Sequence, residues 1–137
     1  MTKPLTLLCV DDDELLSKAF KRNLEQNKEW EVTLAHTFRA VRNLISKDDV
    51  FFDAAIVDLG IGGNRGSTID DGEEIIKMLV EKGIRVGLWS GQTGIYPEAI
   101  ASRLGVPFFE KGTRTISRDI VFNILNFNPE GKPHKER

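Results

Sequence analysis

The chain has almost no means of cross-linking itself: Cys9 is its single cysteine in 137 residues. No internal disulfide can form, and Cys9 sits in an apolar run where a small buried core residue is expected. An excess of basic charge is missing too. Lys and Arg number 19 against 21 Asp and Glu, a net charge of −2 with a pI near 5.7, which argues against a nucleic-acid partner. No apolar run approaches the roughly 18 residues of a membrane span, and residues 1–4 carry no signal-peptide pattern. A cytoplasmic protein with no membrane partner is therefore expected. Histidine is scarce: His36 and His134 lack metal-ligand spacing, and both are expected to be exposed. The rest is ordinary. Hydrophobic residues make up 40% and charged residues 29%, and one domain of 15.4 kDa can bury roughly 70% of its unfolded surface without staples.

Apolar runs alternate with helical periodicities. Leu5–Val10 is nearly continuous, as a strand covered on both faces is. Leu16, Ala19, Phe20 and Leu24 recur at helical spacing and predict a helix over 14–26, with Asp12 or Asp13 placed to cap it. A second strand is predicted over Trp30–Ala35, then a helix carrying Phe38, Val41, Leu44 and Ile45, then a third strand over Ala54–Asp58. A helix over 71–82 uses Ile75, Ile76, Leu79 and Val80 and ends at Gly83. A fourth strand over 84–89, a helix over 97–104 stopping at Gly105 and a fifth strand over 106–109 follow. The last helix, over 115–127, buries Ile116, Ile120, Val121, Ile124 and Leu125.

Five strands alternating with five helices predict an α/β, doubly wound parallel sheet, since parallel neighbours need crossover helices. Right-handed crossovers leave the flavodoxin-like strand order 2-1-3-4-5 as the simplest choice. The domain is expected to occupy residues 1–127. The polar segment 128–137, with Pro129 and Pro133, is expected to be disordered.

In such a sheet the C-terminal strand ends share one edge, and ligands bind outside it. Asp11, Asp12 and Asp13 follow the first strand, Asp58 ends the third, Ser90 follows the fourth and Lys111 the fifth. Converging carboxylates repel one another and push a pKa upward unless a cation binds. Mg²⁺ suits the set, because it takes hard oxygen ligands and keeps several waters. Asp11, Asp12 and Asp58 would supply the charge, and a backbone carbonyl just past Asp58 another oxygen. A carboxylate so placed can attack a phosphoryl group. Lys111 offers a point charge, and Ser90 a hydroxyl, to the transferring oxygens.

From Leu5 to Phe127 the chain resembles the receiver domain of bacterial response regulators, in particular the chemotaxis-regulator-like single-domain receivers of two-component signalling. The resemblance rests on Val10-Asp11-Asp12, Ile56-Val57-Asp58, Ser90-Gly91 and Lys111. It implies that Asp58 is the phosphoacceptor, that Asp11 and Asp12 hold Mg²⁺ with the Gly60 carbonyl, and that Ser90 and Phe108 form the switch. It implies no classical enzyme but a phosphoprotein of a phosphorelay, with self-catalysed phosphoryl transfer and autodephosphorylation. The phosphodonor would be a histidine kinase or phosphotransfer protein. The signal would pass to a downstream protein target, often through the face of helix four, strand five and helix five. The kinase and target are unknown, and a homodimer is left open. With no output domain after Phe127, a stand-alone receiver is expected.

Three departures from that family accompany the match. Gly112, rather than proline, follows Lys111, which leaves the lysine less pre-oriented. The glycine-rich segment 60–70 replaces a short loop; it lacks GxGxxG spacing and a Walker lysine. An open loop and a short-lived phosphoryl state are expected from it. Phe108 lacks the hydroxyl of a switch tyrosine. Two other classes compete: a haloacid-dehalogenase-type phosphohydrolase using the DxD within Asp11–Asp13, which would leave Asp58 idle, and a receiver-like interaction module that is never phosphorylated.

Overall fold

The computed structural model describes residues 3–59, 70–91, 95–111 and 117–127. Strands β1 (Leu5–Val10), β2 (Trp30–Ala35), β3 (Ala54–Asp58), β4 (Arg85–Ser90) and β5 (Phe108–Glu110) form one sheet in the order β2-β1-β3-β4-β5. Every pairing is parallel. Helices α1 (Glu14–Leu24), α2 (Phe38–Ile45), α3 (Asp70–Glu81) and α4 (Ile95–Leu104) make the connections, and α5 (Ser117–Asn126) follows β5.

Strand alternation splits the core in two. Leu8, Val10, Ala55, Val57, Val86 and Leu88 meet α2, α3 and α4 through Val41, Ile75, Ile76, Leu79 and Ile100. Their neighbours Leu7, Cys9, Ala54, Ile56 and Trp89 meet α1 and α5 through Phe20, Leu24, Ile120 and Ile124. All five residues of β3 are buried, as a central strand covered on both faces requires. Gly87 lets α5 approach: a Cβ there would lie 2.8 Å from Ile124 Cδ1 and 2.9 Å from Phe109 Cε2. Burial pushes the Cys9 thiol up, so it is an inert core residue.

Several element ends differ from the sequence expectation. Gly83 and Gly105 adopt φ of 82° and 75° and close α3 and α4 with paired backbone bonds. Gly83 N donates to Val80 O and Ile84 N to Leu79 O, while Gly105 N donates to Ser102 O and Val106 N to Ala101 O. These are Schellman closures, so Ile84 and Val106 belong to helix ends and the strands start later. Helix α4 begins at Ile95, two residues before Pro97, because a proline in the first turn loses only an N–H that has no helical partner. Helix α1 stops at Leu24 and passes into a 3₁₀ turn over Glu25–Asn27. Ala19 and Val80 face outward, and Ser17 takes the inward place in α1. Ile116 and segment 128–137 lie outside the described residues.

The edge strand β2 is blunted. Val32 N donates to Glu25 Oε2 and Val32 O accepts from Lys21 Nζ, both at 2.8 Å. This occupies backbone groups that an exposed edge would offer to another chain.

Candidate functional site

Strand register builds the site. Val10 pairs with Val57 and Asp58 with Trp89, so Asp11 and Asp58 emerge side by side from the two central strands. Beyond the strand ends, Asp11 N donates to Ala35 O at 3.0 Å, Leu59 N to Trp89 O at 3.1 Å and Lys111 N to Ser90 O at 2.9 Å. These bonds carry the sheet one residue further and hold the chemistry-bearing residues to its edge.

The three consecutive aspartates divide the work. Asp13 is the N-cap of α1, its carboxylate accepting from Leu16 N at 3.1 Å, which satisfies an otherwise orphaned helix donor. Asp11 turns inward, and its Oδ1 accepts from Asp13 N at 2.9 Å. Asp12 is exposed at the rim. One ligand oxygen each from Asp11, Asp12 and Asp58 lies within 4.8 Å of the others.

Lys111 closes the cluster. Its Nζ sits 2.8 Å from Asp11 Oδ2 and 3.2 Å from Asp58 Oδ2, with side-chain exposures of 14% for the lysine, 0% for Asp11 and 8% for Asp58. Burial pushes the Asp11 carboxyl up to about 6, against the pull of Lys111 and the Asp13 amide. Burial alone would lower the Lys111 ammonium, but hydrogen bonding to Asp11 and the charge of Asp58 hold it above the ordinary lysine value. Three carboxylates against one ammonium leave a net negative pocket of hard oxygens, and this donor set fits a divalent cation such as Mg²⁺.

Ser90 is buried at the end of β4, beside Lys111 in the chain of backbone bonds. Phe108 is half-buried in β5 and packs against the α4 side of the core. The segment 60–69, with Gly60, and Gly112 lie outside the described residues. The expected Gly60 carbonyl ligand and the expected open loop fall there.

Two residues were not foreseen. His36, expected to be exposed, is half-buried, with Nδ1 2.8 Å from the Asp11 carbonyl oxygen. A carbonyl only accepts, so Nδ1 carries the proton and pins the Asp11 peptide. A histidine directly after a predicted strand was the available signal. Gly72 is the second. A Cβ there would lie 2.7 Å from Leu59 O and 3.1 Å from Asp58 O, so only glycine lets α3 press on the backbone beside Asp58. A glycine within a helical pattern was the hint.

No protein-family model and no curated protein matches this chain. Solved structures do. The non-phosphorylated HemR receiver domain of Leptospira biflexa matches with TM-score 0.70 at 23% identity, over 96% of this chain and 99% of that one. The chain has the receiver fold. A response regulator receiver protein from Burkholderia phymatum superposes with TM-score 0.74 at 16% identity, over 90% and 97%. A response regulator from Burkholderia pseudomallei, solved with a phosphorylated aspartic acid, calcium ion and citrate, gives 0.70 at 21% identity, over 92% of this chain and 69% of that one. These receiver folds share the flavodoxin-like order 2-1-3-4-5 seen here. Among the described residues, no helix is long and apolar enough to cross a membrane.

Proposed function

We propose that this protein is a phosphoacceptor signalling domain that takes a phosphoryl group onto Asp58 in a Mg²⁺-dependent reaction in the cytoplasm. The observation that carries this reading is the bridging of two buried carboxylates, Asp11 and Asp58, by Lys111, with Asp12 completing a three-carboxylate cluster. An Asp58 carboxylate oxygen attacks the phosphorus of a phosphohistidine on a kinase or phosphotransfer protein. The new O–P bond forms as the N–P bond breaks, and the imidazole leaves with the electron pair and takes a proton from solvent. Asp11, Asp12 and Asp58, with the Gly60 carbonyl, would hold Mg²⁺, which supplies charge neutralisation for the incoming phosphoryl oxygens. Lys111 Nζ, 3.2 Å from Asp58, is placed to follow one of those oxygens. The Ser90 hydroxyl would take another.

Asp11 is fully buried and committed to Lys111 and the Asp13 amide; Asp58, at the end of the central strand β3 beside it, is the nucleophile of this reading. The output would be a shift between two conformations, read by a downstream protein. Phe108 lines a groove of about 440 Å³ with Ala101, Val106, Pro107 and Phe127, and its movement would reshape that face. Beryllofluoride with Mg²⁺ tests this directly. Amide NMR shifts are expected to move around Asp58, Ser90, Phe108 and Lys111 in the wild type and to stay fixed in Asp58→Asn. Equal shifts in both proteins would overturn the assignment.

A further inference from the structure

The residue before Ser90 is a buried tryptophan whose indole the site described above does not use. Trp89 is 4% exposed, and its Nε1–H is buried with no hydrogen-bond partner among the described residues. Stranding a donor in the core carries a free-energy cost. Phenylalanine or leucine could line the same wall between α1 and α5 without an orphaned donor, at a cost in packed volume. Something must favour the larger, electron-rich ring.

That something lies on its face. Lys111 Nζ sits over the Trp89 ring, 5.4 Å from the centroid, within the range where an ammonium is attracted by an aromatic face, tryptophan being the best of the three. The ring itself is held: Phe20 meets it edge-on at 5.3 Å and 66°. Lys111 therefore has carboxylate oxygens at 2.8 and 3.2 Å and an aromatic face besides. Two carboxylates alone do not determine where between them an ammonium rests. A fixed ring adds a third point and defines one position.

The sequence gives this hold a purpose. Gly112 follows Lys111, and glycine sets no backbone angle, so the residue after the lysine does not orient it as a proline would. We propose that Trp89 is a positioning residue for Lys111: its indole face fixes the ammonium over the acidic cluster from which it meets the phosphoryl group. This inference deepens the phosphoacceptor reading and rests on it for the functional consequence, though the contact itself does not.

Two sets of proteins test it. Trp89→Phe keeps an aromatic face and Trp89→Leu removes it. With beryllofluoride and Mg²⁺ as the probe, Trp89→Leu is expected to weaken binding roughly 3- to 30-fold, the span that a desolvated cation–ring contact supports. Trp89→Phe should stay within about threefold of wild type on the same reasoning. Equal losses in the two variants would overturn the proposal, since general core damage would not spare phenylalanine. If Trp89→Leu does not fold, a series of fluorinated tryptophans incorporated into the full chain keeps the shape while draining the ring face of charge. The Lys111 Nζ and Cε NMR signals, read at one pH without ligand, are then expected to move stepwise with fluorine count. Unmoved Lys111 signals would refute the contact. Because this reading needs no ligand, it remains decisive even if wild-type protein takes up no beryllofluoride, an outcome that would count against the phosphoacceptor reading instead.

Discussion

Replacing Lys111 by methionine keeps most of the side-chain volume and removes the cation that Asp11 and Asp58 share. With separations of 2.8 and 3.2 Å, the gross attractions are roughly 6 and 5 kcal/mol at an effective dielectric constant of about 20. Desolvation cancels much of this, and breaking a buried pair typically costs about 3–5 kcal/mol. Asp11 has an escape, because burial already pushes its carboxyl up to about 6 with the lysine present. Its pKa in the fold is raised, so the stability tied to its protonated form is present at low pH and lost as pH climbs through the folded value. Without Lys111 that folded value rises further, and the loss continues over a wider range. The gap between wild type and Lys111→Met is therefore expected to be about 2 kcal/mol at pH 5 and to widen above pH 6 by about 1.4 kcal/mol per unit, reaching about 5 kcal/mol near pH 8. Urea unfolding in chelator from pH 5 to 8 measures it, and added Mg²⁺ should narrow the gap by supplying replacement charge. A gap that does not change with pH would refute the electrostatic reading of the cluster.

Mg²⁺ binding to the free protein should be weak, should fall severalfold in Asp12→Ala because affinity follows ligand charge count, and should decline below pH 6 as Asp11 takes up its proton; calorimetric titration reads all three. Gly72→Ala should cost about 1–3 kcal/mol in urea melts, because the 2.7 Å approach is to backbone oxygen that cannot yield. His36→Leu should weaken Mg²⁺ binding several-fold by freeing the Asp11 peptide, while His36→Asn, which keeps a donor, should retain more of it.

Much of this fold was legible because its signals are local and repeated. The near-continuous apolar runs of β1 and β3 follow directly from burial on both faces, and β2 falls over the span expected for it. The order 2-1-3-4-5 was the simplest choice that right-handed crossovers leave, and the sheet has it. Element ends were less legible, since the apolar residues after Gly83 and Gly105 read as strand although their amides bond back into the helices. The convergence of Asp11, Asp12, Asp58 and Lys111 was readable because each stands directly at a strand end. Three participants were hidden for one physical reason: their roles exist only across the sheet. His36 reaches the Asp11 carbonyl from β2, Gly72 touches Leu59 from α3, and Trp89 meets Lys111 from the neighbouring strand. A histidine after a strand and a glycine in a helical pattern are local hints that do not name the partner each meets, and a tryptophan in a strand reads simply as core.

The central claim is that Asp58 accepts a phosphoryl group. Wild-type protein incubated with acetyl phosphate and Mg²⁺, followed by intact-mass measurement and peptide mapping, tests it most directly. The expected result is a gain of one phosphoryl group on Asp58, lost in chelator and absent in Asp58→Asn. A label on Asp11, as the phosphohydrolase alternative requires, or no label in wild-type protein while the fold remains intact, would contradict it.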